Sequence, residues 1–412
     1  MPPAAAYESL KGAVEADVCV VGGGIAGCTT ALRLSEAGYS VIVLEKAEIG
    51  SGASGRNGGQ ALPGVACGQA KLEQLVGRGD ARRIWDVTVE GLRDLRDLIA
   101  REHIDCAWTA GHLLAAIKPR HARELDAEME VLERRYRYTP LKMIEQSALR
   151  GLIASERYCR ALLDTYAGHL NPLAYVRGLA TAATRRGTRI YEQSPMVAFE
   201  AGSAVQVRAP NGQVRCRHLV LCGNAALARA VPELNRKILG ISTSIIATEP
   251  LGEARARALI TNNAAVADMN WVLDYFRRTA DHRLLFGGRI KYSAAESGER
   301  VQRARKRMLR VFPQLADARI EFAWSGTLDI TLNRAPHFGR LKPNVYFVQG
   351  FSGHGIVLAG VAGRLIAEAV AGTAERLDVF ARIPHRNFPG GEALRRPALV
   401  LAMLYFRLRD AL

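Results

Sequence analysis

The stretch DVCVVGGGIAG, residues 17–27, decides the fold of this chain. It begins with a short apolar segment, Asp17–Val21, and its last residues open a segment of helical character, Ile25–Ala37. A second apolar segment, Ser40–Leu44, follows the helix breaker Gly38. Apolar strands on both sides of one helix are typical of a parallel sheet that is covered on both faces. The sequence therefore predicts a βαβ unit and, with it, an α/β fold.

Three glycines between the first strand and the helix have the spacing G-x-G-x-x-G. Gly22 allows a tight turn, Gly24 lets a pyrophosphate approach the backbone at the helix N-terminus, and Gly27 permits close contact between helix and strand. Glu45 ends the second strand, where a carboxylate can accept hydrogen bonds from a ribose hydroxyl. A glycine turn that binds nothing is the alternative. Because the strand, the helix and the acid occur together, a dinucleotide site is favoured.

A second glycine-rich stretch, Gly50–Gly59, contains five glycines in ten residues. We expect it to be too flexible for regular structure and suited to close approach by a ligand. The stretch comes soon after Glu45, where the ribityl and flavin portion of an extended cofactor would lie, and this position favours FAD over a nicotinamide cofactor. A flexible surface loop is the alternative.

A third glycine segment, Gly353-His354-Gly355, precedes the last long helix, which runs from Ile356 to about Ala371. A helix N-terminus carries partial positive charge, and that charge would stabilise the negative charge of a reduced flavin. A tight turn without a ligand is the alternative. For His354 three roles remain open: a contact to substrate, a modulator of the flavin charge, and a ring that caps the turn.

The net charge of +16 allows nucleic acid, an anionic membrane surface or an acidic substrate as partner. The basic residues are dispersed among acidic ones without an aromatic ladder for stacking bases, so we interpret the charge as solvated surface and predict no nucleic-acid binding. Seven cysteines without a C-x-x-C pair, and an N-terminus without a secretory signal, fit a reducing cytoplasm. No apolar run is long enough to span a bilayer.

The remaining sequence predicts a second domain. Lys71–Arg135 has helical periodicity, and residues 240–330 alternate strand-like segments around one helix, Glu299–Phe312. The second domain is therefore expected to be largely antiparallel and to bind substrate. The predicted boundaries are 1–70, 150–235 and 335–390 for a discontinuous FAD-binding domain, 71–149 and 236–334 for the substrate domain, and 391–412 for a C-terminal amphipathic helix.

Four further motifs carry a resemblance to a known family. They are GASGRNGGQ at residues 52–60, which contains GRNGGQ, WSGTLD at 324–329, NRAP at 333–336 and QGFSGHG at 349–355. With these motifs and the first glycine segment, the chain resembles the D-amino-acid-oxidase-type flavoproteins. Within that superfamily it is most similar to the γ-glutamylputrescine oxidases and the L-pipecolate-oxidase-like amine oxidases, over nearly its whole length.

This resemblance implies a two-domain fold in which FAD is buried and the second sheet covers the flavin ring. It also implies hydride transfer to flavin N5 from the carbon next to the nitrogen of a small amine, amino acid or imino acid, giving an imine that water hydrolyses. Oxygen, with hydrogen peroxide as the product, or a respiratory electron acceptor would then reoxidise the flavin. A nicotinamide-dependent dehydrogenase and a non-catalytic flavoprotein subunit are the alternatives from other classes.

The chain departs from the pattern of this family at two places. Relatives that attach flavin covalently carry a cysteine near the position of Trp324, and this chain has none there, so noncovalent FAD is predicted. Arg289, in Phe286-Gly287-Gly288-Arg289, stands where the γ-glutamylputrescine oxidases tend to have glycine. A guanidinium beside the flavin would suit a carboxylate, so this residue puts the exact substrate in question.

The candidate site residues follow from the motifs and the resemblance. The catalytic candidates are His354, Arg289, Trp324 and Tyr275. Trp324 and Tyr275, with Trp271, would wall the substrate pocket, although ordinary core packing is at least an equal alternative for Trp271. No metal site is predicted. The predicted cofactor-binding residues are Gly22, Gly24, Ile25, Ala26, Gly27, Glu45, Lys46, Ser51, Ala53, Ser54, Arg56, Asn57, Gly58, Gly59, Gln60, Val197, Gly223, Asn224, Gly353, His354, Gly355 and Ile356.

The C-terminal stretch has an apolar centre, Ala398–Phe406, between flanking arginines. It is too short to span a bilayer. It suits either an anionic membrane interface at the inner face of the membrane, where electrons could pass to a respiratory acceptor, or docking on the chain's own FAD domain. Docking is the preferred interpretation because most amphipathic helices of globular proteins pack inward. The predicted location is the cytoplasm.

Overall fold

The computed structural model describes residues 7–271, 273–291 and 297–391 together with Pro397, Leu401 and Asp410, and for residues 289–291 and 297 it describes the backbone alone. Its strands are β1 Gly12–Val21, β2 Val41–Leu44, β3 Gln60–Ala61, β4 Thr109–Ala116, β5 Leu141–Glu145, β6 Arg160–His169, β7 Arg189–Tyr191, β8 Ala198–Ala201, β9 Val205–Ala209, β10 Gly212–Leu221, β11 Leu239–Thr248, β12 Ala265–Asp268, β13 Asp274–Arg278, β14 Leu284–Lys291, β15 Ile320–Ile330, β16 His337–Lys342 and β17 Val345–Gln349. Its α-helices are α1 Ile25–Glu36, α2 Ala53–Arg56, α3 Gln69–Arg101, α4 Pro119–Arg134, α5 Gln146–Leu152, α6 Pro172–Arg185, α7 Pro232–Asn235, α8 Glu253–Leu259, α9 Ser297–Val311, α10 Gly355–Val370 and α11 Glu375–Ala381.

The first sheet contains the predicted βαβ unit. Its strand order is β16-β17-β10-β1-β2-β7, and β1 pairs in parallel with both β10 and β2. Val18 and Val20 lie in the cluster that includes the helices, whereas Cys19 and Val21 lie in the cluster formed with strands β8 to β10. Both faces are therefore buried, and the predicted buried parallel sheet is confirmed.

The second sheet is largely antiparallel, as predicted. Its order is β15-β11-β14-β13-β12-β4-β6-β3, and β12 and β4 form its parallel pair. One face packs on helix α9 through an apolar cluster that includes Phe276, Phe286 and Phe312. Because side chains alternate along a strand, Tyr275 and Arg277 lie on the other face. That face meets the glycine-rich segment 50–60 and forms one wall of the candidate site.

Two predictions of secondary structure are wrong. The predicted helical stretch Lys71–Arg135 is interrupted by β4, which is stabilised by pairing with β6 and β12. The sequence of β4, TAGHLLAA, is poor in β-branched residues, so tertiary pairing decides its conformation. The stretch Gly50–Gly59 contains one helical turn, α2, because the Asn57 side chain donates to the carbonyls of Ala53 and Ser54 at 2.9 and 2.8 Å.

Sheet membership differs from the predicted domain boundaries in three segments. Strands β3 and β6, both predicted in the FAD-binding domain, belong to the second sheet. Helix α3, predicted in the substrate domain, packs in the core of the first sheet, where a Cβ at Gly91 would lie 2.2 Å from Val361 of α10. The chain crosses between the two sheets several times, and local sequence patterns do not mark these crossings. The other boundaries remain predictions.

Most of the predicted C-terminal helix lies outside the described residues. Asp410 is described, and its oxygens accept hydrogen bonds from Lys118 Nζ at 2.6 Å and from the Trp271 amide at 3.0 Å. These partners follow β4 and β12, so Asp410 contacts the second sheet; the predicted docking of the helix on the FAD domain lies outside the described residues. Among the described residues no helix is both long and apolar enough to cross a membrane.

Candidate active site

The turn between β1 and α1 requires glycine at two of its positions. Gly22 has φ +115°, in the region that L side chains rarely adopt. A Cβ at Gly27 would lie 1.9 Å from the Gly22 carbonyl oxygen. The strand and the helix therefore approach as closely as a dinucleotide-binding turn requires.

The N-terminus of α1 fits the pyrophosphate of a dinucleotide. Its first turn contains no acidic side chain, and its N-cap is Gly24. The Ile25 amide donates to Ser54 Oγ at 3.0 Å, and a Cβ at Gly24 would lie 2.7 Å from the same oxygen. The space before the helix is thus bounded by backbone and the Ser54 hydroxyl, and the first turn of the helix adds no acidic side chain, as an anion site requires.

Glu45 is buried beside this turn. Its Oε2 accepts from the Gly23 amide at 2.7 Å, and its Oε1 accepts from the Ala47 amide at 2.9 Å. A carboxylate has about four acceptor positions, so two remain for ribose hydroxyls. Lys46, another predicted cofactor residue, is exposed.

The segment around α2 joins the two sheets. Arg56 Nε donates to the Ser51 carbonyl at 2.6 Å, and its Nη1 donates to the Ser325 carbonyl at 3.3 Å. In return, Trp324 Nε1 donates to the Arg56 carbonyl at 3.0 Å. Two of the predicted site motifs, GRNGGQ and WSGTLD, therefore contact each other directly. Trp324 holds the glycine-rich segment in place, in addition to any contact with substrate.

Tyr275 covers the same segment from the second sheet. A Cβ at Gly58 would lie 2.6 Å from its ring, and a Cβ at Gly287 would lie 2.3 Å from it. Only glycine at these positions leaves room for the ring. Burial raises the pKa of Tyr275 to about 12, so the phenol is neutral at physiological pH. Tyr275 can donate a hydrogen bond and exclude water, but it is a poor base.

The sequence analysis missed a polar cluster on this face. Arg277 is buried, and its Nε donates to the Gly58 carbonyl at 2.7 Å. His112 on β4 and His169 on β6 are 5% and 2% exposed, and each has one buried ring nitrogen without a hydrogen-bond partner, Nε2 and Nδ1 respectively. Gln60 pairs with His169 between β3 and β6. A single histidine in an apolar strand gives no local signal, so only the pairing of distant strands reveals this cluster.

His354 joins this cluster from the N-terminus of α10. Its Nε2 lies 3.2 Å from the Pro63 carbonyl oxygen, and the first turn of α10 contains no acidic residue. Burial, and the proximity of His354 and His169, lower the pKa of His112 to about 3. Burial likewise lowers the pKa of His354 and brings that of His169 to about 3. All three rings are therefore neutral at physiological pH. Among the described residues they do not belong to a cluster that could hold a metal ion.

Three predicted cofactor residues flank strands β8 to β10: Val197 precedes β8, and Gly223 and Asn224 follow β10. Asn224 has φ +49° and a buried Oδ1 without a hydrogen-bond partner, directly after Gly223. An unfilled buried acceptor fits a ligand hydroxyl or amide. Val197 is 54% exposed. Its backbone is fixed, because its amide donates to the Arg208 carbonyl at 2.8 Å. An exposed apolar side chain is available to an aromatic ring such as adenine.

Arg289 forms a β-bulge in β14. Thr243 of β11 pairs with Ile290 and Ser244 pairs with Gly288, so Arg289 is the extra residue between them. Bulges are frequent beside active sites because they redirect side chains. The Arg289 side chain lies outside the described part of the structure, and its predicted contact with a carboxylate stays a prediction.

Comparison with known proteins agrees with this geometry. The sequence signature described as FAD dependent oxidoreductase (DAO) matches residues 17–369. Gamma-glutamylputrescine oxidoreductase from Escherichia coli (strain K12) is 41% identical over 409 residues, which are 99% of this chain and 96% of that protein. A probable oxidoreductase from Haemophilus influenzae is 38% identical over 96% of this chain and 92% of that protein.

Solved structures share the fold at low identity. Glycine oxidase from Geobacillus kaustophilus superposes with a TM-score of 0.73 at 19% identity, over 87% of this chain and 95% of that chain. L-proline dehydrogenase from P. horikoshii superposes with a TM-score of 0.72 at 20% identity, over 90% of this chain and 96% of that chain. At such identities the likeness concerns the fold alone.

Proposed function

The chain belongs to the FAD dependent oxidoreductase family, and on that premise we propose that its substrate is γ-glutamylputrescine or an N-acylated diamine of the same type. The observation that carries the proposal is the 41% identity to the E. coli gamma-glutamylputrescine oxidoreductase over 99% of this chain. The reaction class is FAD-dependent oxidation of a C–N bond of an amine or amino acid, as in the relatives of this family.

The residues that would hold FAD are those predicted from the sequence. Gly24 and Ser54 would receive the pyrophosphate, and Glu45 would bind the adenosine ribose. The glycine-rich segment, residues 56–60, and the second sheet that contacts it would border the flavin. Bound there, FAD would supply the hydride acceptor. Noncovalent attachment remains part of the proposal, because this chain has no cysteine near Trp324, where relatives attach flavin covalently.

The side chains of the second sheet would select the reactive form of the substrate. Arg277 and the neutral, buried rings of His112 and His169 would surround the reacting amine with a desolvated space that has positive charge and unpaired ring nitrogens. Such a space disfavours an ammonium ion and accepts the N–H of a free amine, which is the form from which a hydride can leave. Tyr275 covers the glycine-rich segment and excludes water. These residues position the substrate without an acid–base dyad.

Oxidation of an amino or imino acid is the second candidate function. Arg289 favours it, because an arginine in a bulge of β14 could bind a carboxylate near the reacting carbon. The electron acceptor, either oxygen or a respiratory acceptor, belongs to the proposal as well. So do the cytoplasmic location and the alternative of peripheral membrane contact through residues 391–412.

The test is an anaerobic screen with purified protein. We expect yellow protein whose bound flavin is bleached by γ-glutamylputrescine, with slower bleaching by L-pipecolate, proline and sarcosine. Acid precipitation should release the flavin into the supernatant. The Gly24→Val variant should lack flavin, because its side chain would fill the space before α1. Bleaching by the imino acids alone would replace the first candidate function by the second.

A further inference from the structure

Arg334 carries a charge that no described carboxylate neutralises. It lies in the turn after β15, its amide donates to the Thr331 carbonyl at 3.1 Å, and its backbone has φ +60°. Among the described residues, the ionisable group that acts on its charge is the Cys67 thiol. Because burial raises the pKa of this thiol to about 11, it supplies no negative charge at physiological pH.

The guanidinium of Arg334 is held in place but is not saturated. Its Cζ lies 5.6 Å from the centroid of the Trp271 ring, and its Nη2 donates to the Ser352 carbonyl at 3.3 Å. Its Nε is buried without a hydrogen-bond partner. A guanidinium has five N–H donors, so both its charge and its hydrogen-bonding capacity are available to a ligand.

The position of Arg334 links the histidine cluster to the protein surface. Ser352 precedes Gly353-His354, and the charge of Arg334 contributes to the lowered pKa of His354. On its other side, Arg334 stacks on Trp271, which is 41% exposed. Arg334 therefore lies at the outer edge of the candidate site, with the buried histidines on its inner side.

A comparably placed arginine indicates what Arg334 lacks. Arg307 also lies near an aromatic ring, 5.7 Å from the centroid of Phe286, and it forms an ion pair with Asp274. A buried charge without a partner is costly, and a partner removes much of this cost. No described residue supplies such a partner to Arg334, so an anionic ligand could provide it.

We propose that Arg334 binds a carboxylate at the end of the substrate opposite to the C–N bond that is oxidised. This inference rests on the proposed function, since γ-glutamylputrescine carries its carboxylate, on the glutamyl α-carbon, at the opposite end from the putrescine amine. The planar guanidinium binds a carboxylate through two parallel hydrogen bonds, which gives orientation as well as affinity. The substrate class is therefore a diamine acylated with an acidic group.

The experiment compares two substrates with the same reactive end. γ-Glutamylputrescine has the α-carboxylate and the α-amino group of glutamate, and N-acetylputrescine lacks both; a guanidinium binds the carboxylate of the two. Arg334→Gln should raise KM for γ-glutamylputrescine on the order of 100-fold, as loss of a partner from a buried charge pair does, with a smaller change in kcat. The same variant should use N-acetylputrescine as the wild type does. Arg334→Lys should be intermediate, because it keeps the charge without the planar fork.

Arg340→Gln is the matched control. Arg340 also lies over an aromatic ring, 5.9 Å from the centroid of Tyr346, but it is exposed and pairs with Asp378 at 3.4 Å. We expect this variant to behave like the wild type with both substrates. Flavin content and the thermal unfolding midpoint of each variant report whether the fold is kept.

The outcomes separate the inference from the proposed function. An equal loss with both substrates would mean that Arg334 supports the flavin or the fold, and the inference would be overturned. If the wild type oxidises neither substrate, the proposed function fails. The inference is then judged by titration with glutarate, followed through the flavin absorbance. Weaker glutarate binding to Arg334→Gln than to the wild type supports a carboxylate site, and equal binding overturns it.

Discussion

The two faces of the second sheet use the same kinds of side chain in different ways. On the face that packs against α9, Arg307 forms an ion pair with Asp274 and lies among phenylalanine rings. On the face that meets the glycine-rich segment, Arg277 binds backbone carbonyls, and His112 and His169 keep unfilled ring nitrogens. The first face pairs its buried arginine with a carboxylate of the same chain. The second leaves hydrogen-bonding capacity for a ligand, at a cost in stability.

A substitution on the face that packs against α9 should give the largest effect on stability. Asp274→Ala leaves the buried Arg307 without its partner, and this should lower the free energy of unfolding by about 3–5 kcal/mol. Urea unfolding followed by circular dichroism measures the change. The control is Asp281→Ala, which removes an exposed partner of Arg283 and should cost at most about 1 kcal/mol. Similar losses in both variants would contradict the assignment of Arg307 and Asp274 as a buried pair.

The pH dependence of stability should separate the two faces. His112 and His169 have pKa values lowered to about 3, so the unfolded chain binds more protons and stability falls as the pH is lowered from about 6.5 toward 3. Asp268, on the helix side, has a pKa raised to about 7 by burial and by nearby Asp274, so its contribution to stability falls as the pH rises from about 4 to 7. His112 and His169 therefore titrate with the opposite sign to Asp268.

Two variants test these signs. His112→Gln should reduce the acid loss of stability, because it removes one group that the unfolded chain protonates. The slope of the free energy of unfolding against pH should fall by up to about 1.4 kcal/mol per pH unit. Asp268→Asn should make that loss steeper, because it removes the opposing contribution. The measurement is the free energy of unfolding in urea at several pH values between 4 and 7. Parallel pH curves for the wild type and both variants would contradict the assignment.

Removal of the His112 ring nitrogen that has no hydrogen-bond partner should have a smaller effect, and this effect should be on catalysis. His112→Phe should lower kcat/KM for the amine substrate about tenfold, the contribution of one neutral hydrogen bond. Its stability should not decrease, since the substitution removes a buried polar atom that has no partner in the chain. Activity assays and urea unfolding of the same preparation test both statements. His103→Asn, at an exposed histidine, is the control and should leave both quantities unchanged.

The smallest effect should come from the contact between the two sheets. Trp324→Phe keeps an aromatic ring but removes the hydrogen bond to the Arg56 carbonyl. We expect FAD to bind more weakly by about 1 kcal/mol, with little change in the unfolding midpoint of the protein without flavin. Fluorescence titration with FAD measures the affinity. Unchanged affinity would mean that the glycine-rich segment keeps its position without Trp324.

The sequence predicted the parts of the site that depend on local patterns. The turn at Gly22 and Gly24 was found because its spacing reflects backbone geometry within one βαβ unit. The contact of Tyr275 with Gly58 and the position of His112 were not found, because they arise from pairing between distant strands. Strand β4 was mistaken for helix for the same reason, since its pairing with β6 and β12 outweighs the propensity of its residues.

The hydrogen bond between Trp324 and Arg56 joins residues 268 positions apart in the chain. Strand β1 likewise depends on β10, whose residues Gly212–Leu221 follow about half a chain later. Contacts of such long range form slowly because a large loop must close first. During synthesis, the turn that receives the pyrophosphate leaves the ribosome long before β15 does. The complete flavin site can therefore assemble only after most of the chain has been made, so tight retention of the cofactor belongs to the last stage of folding.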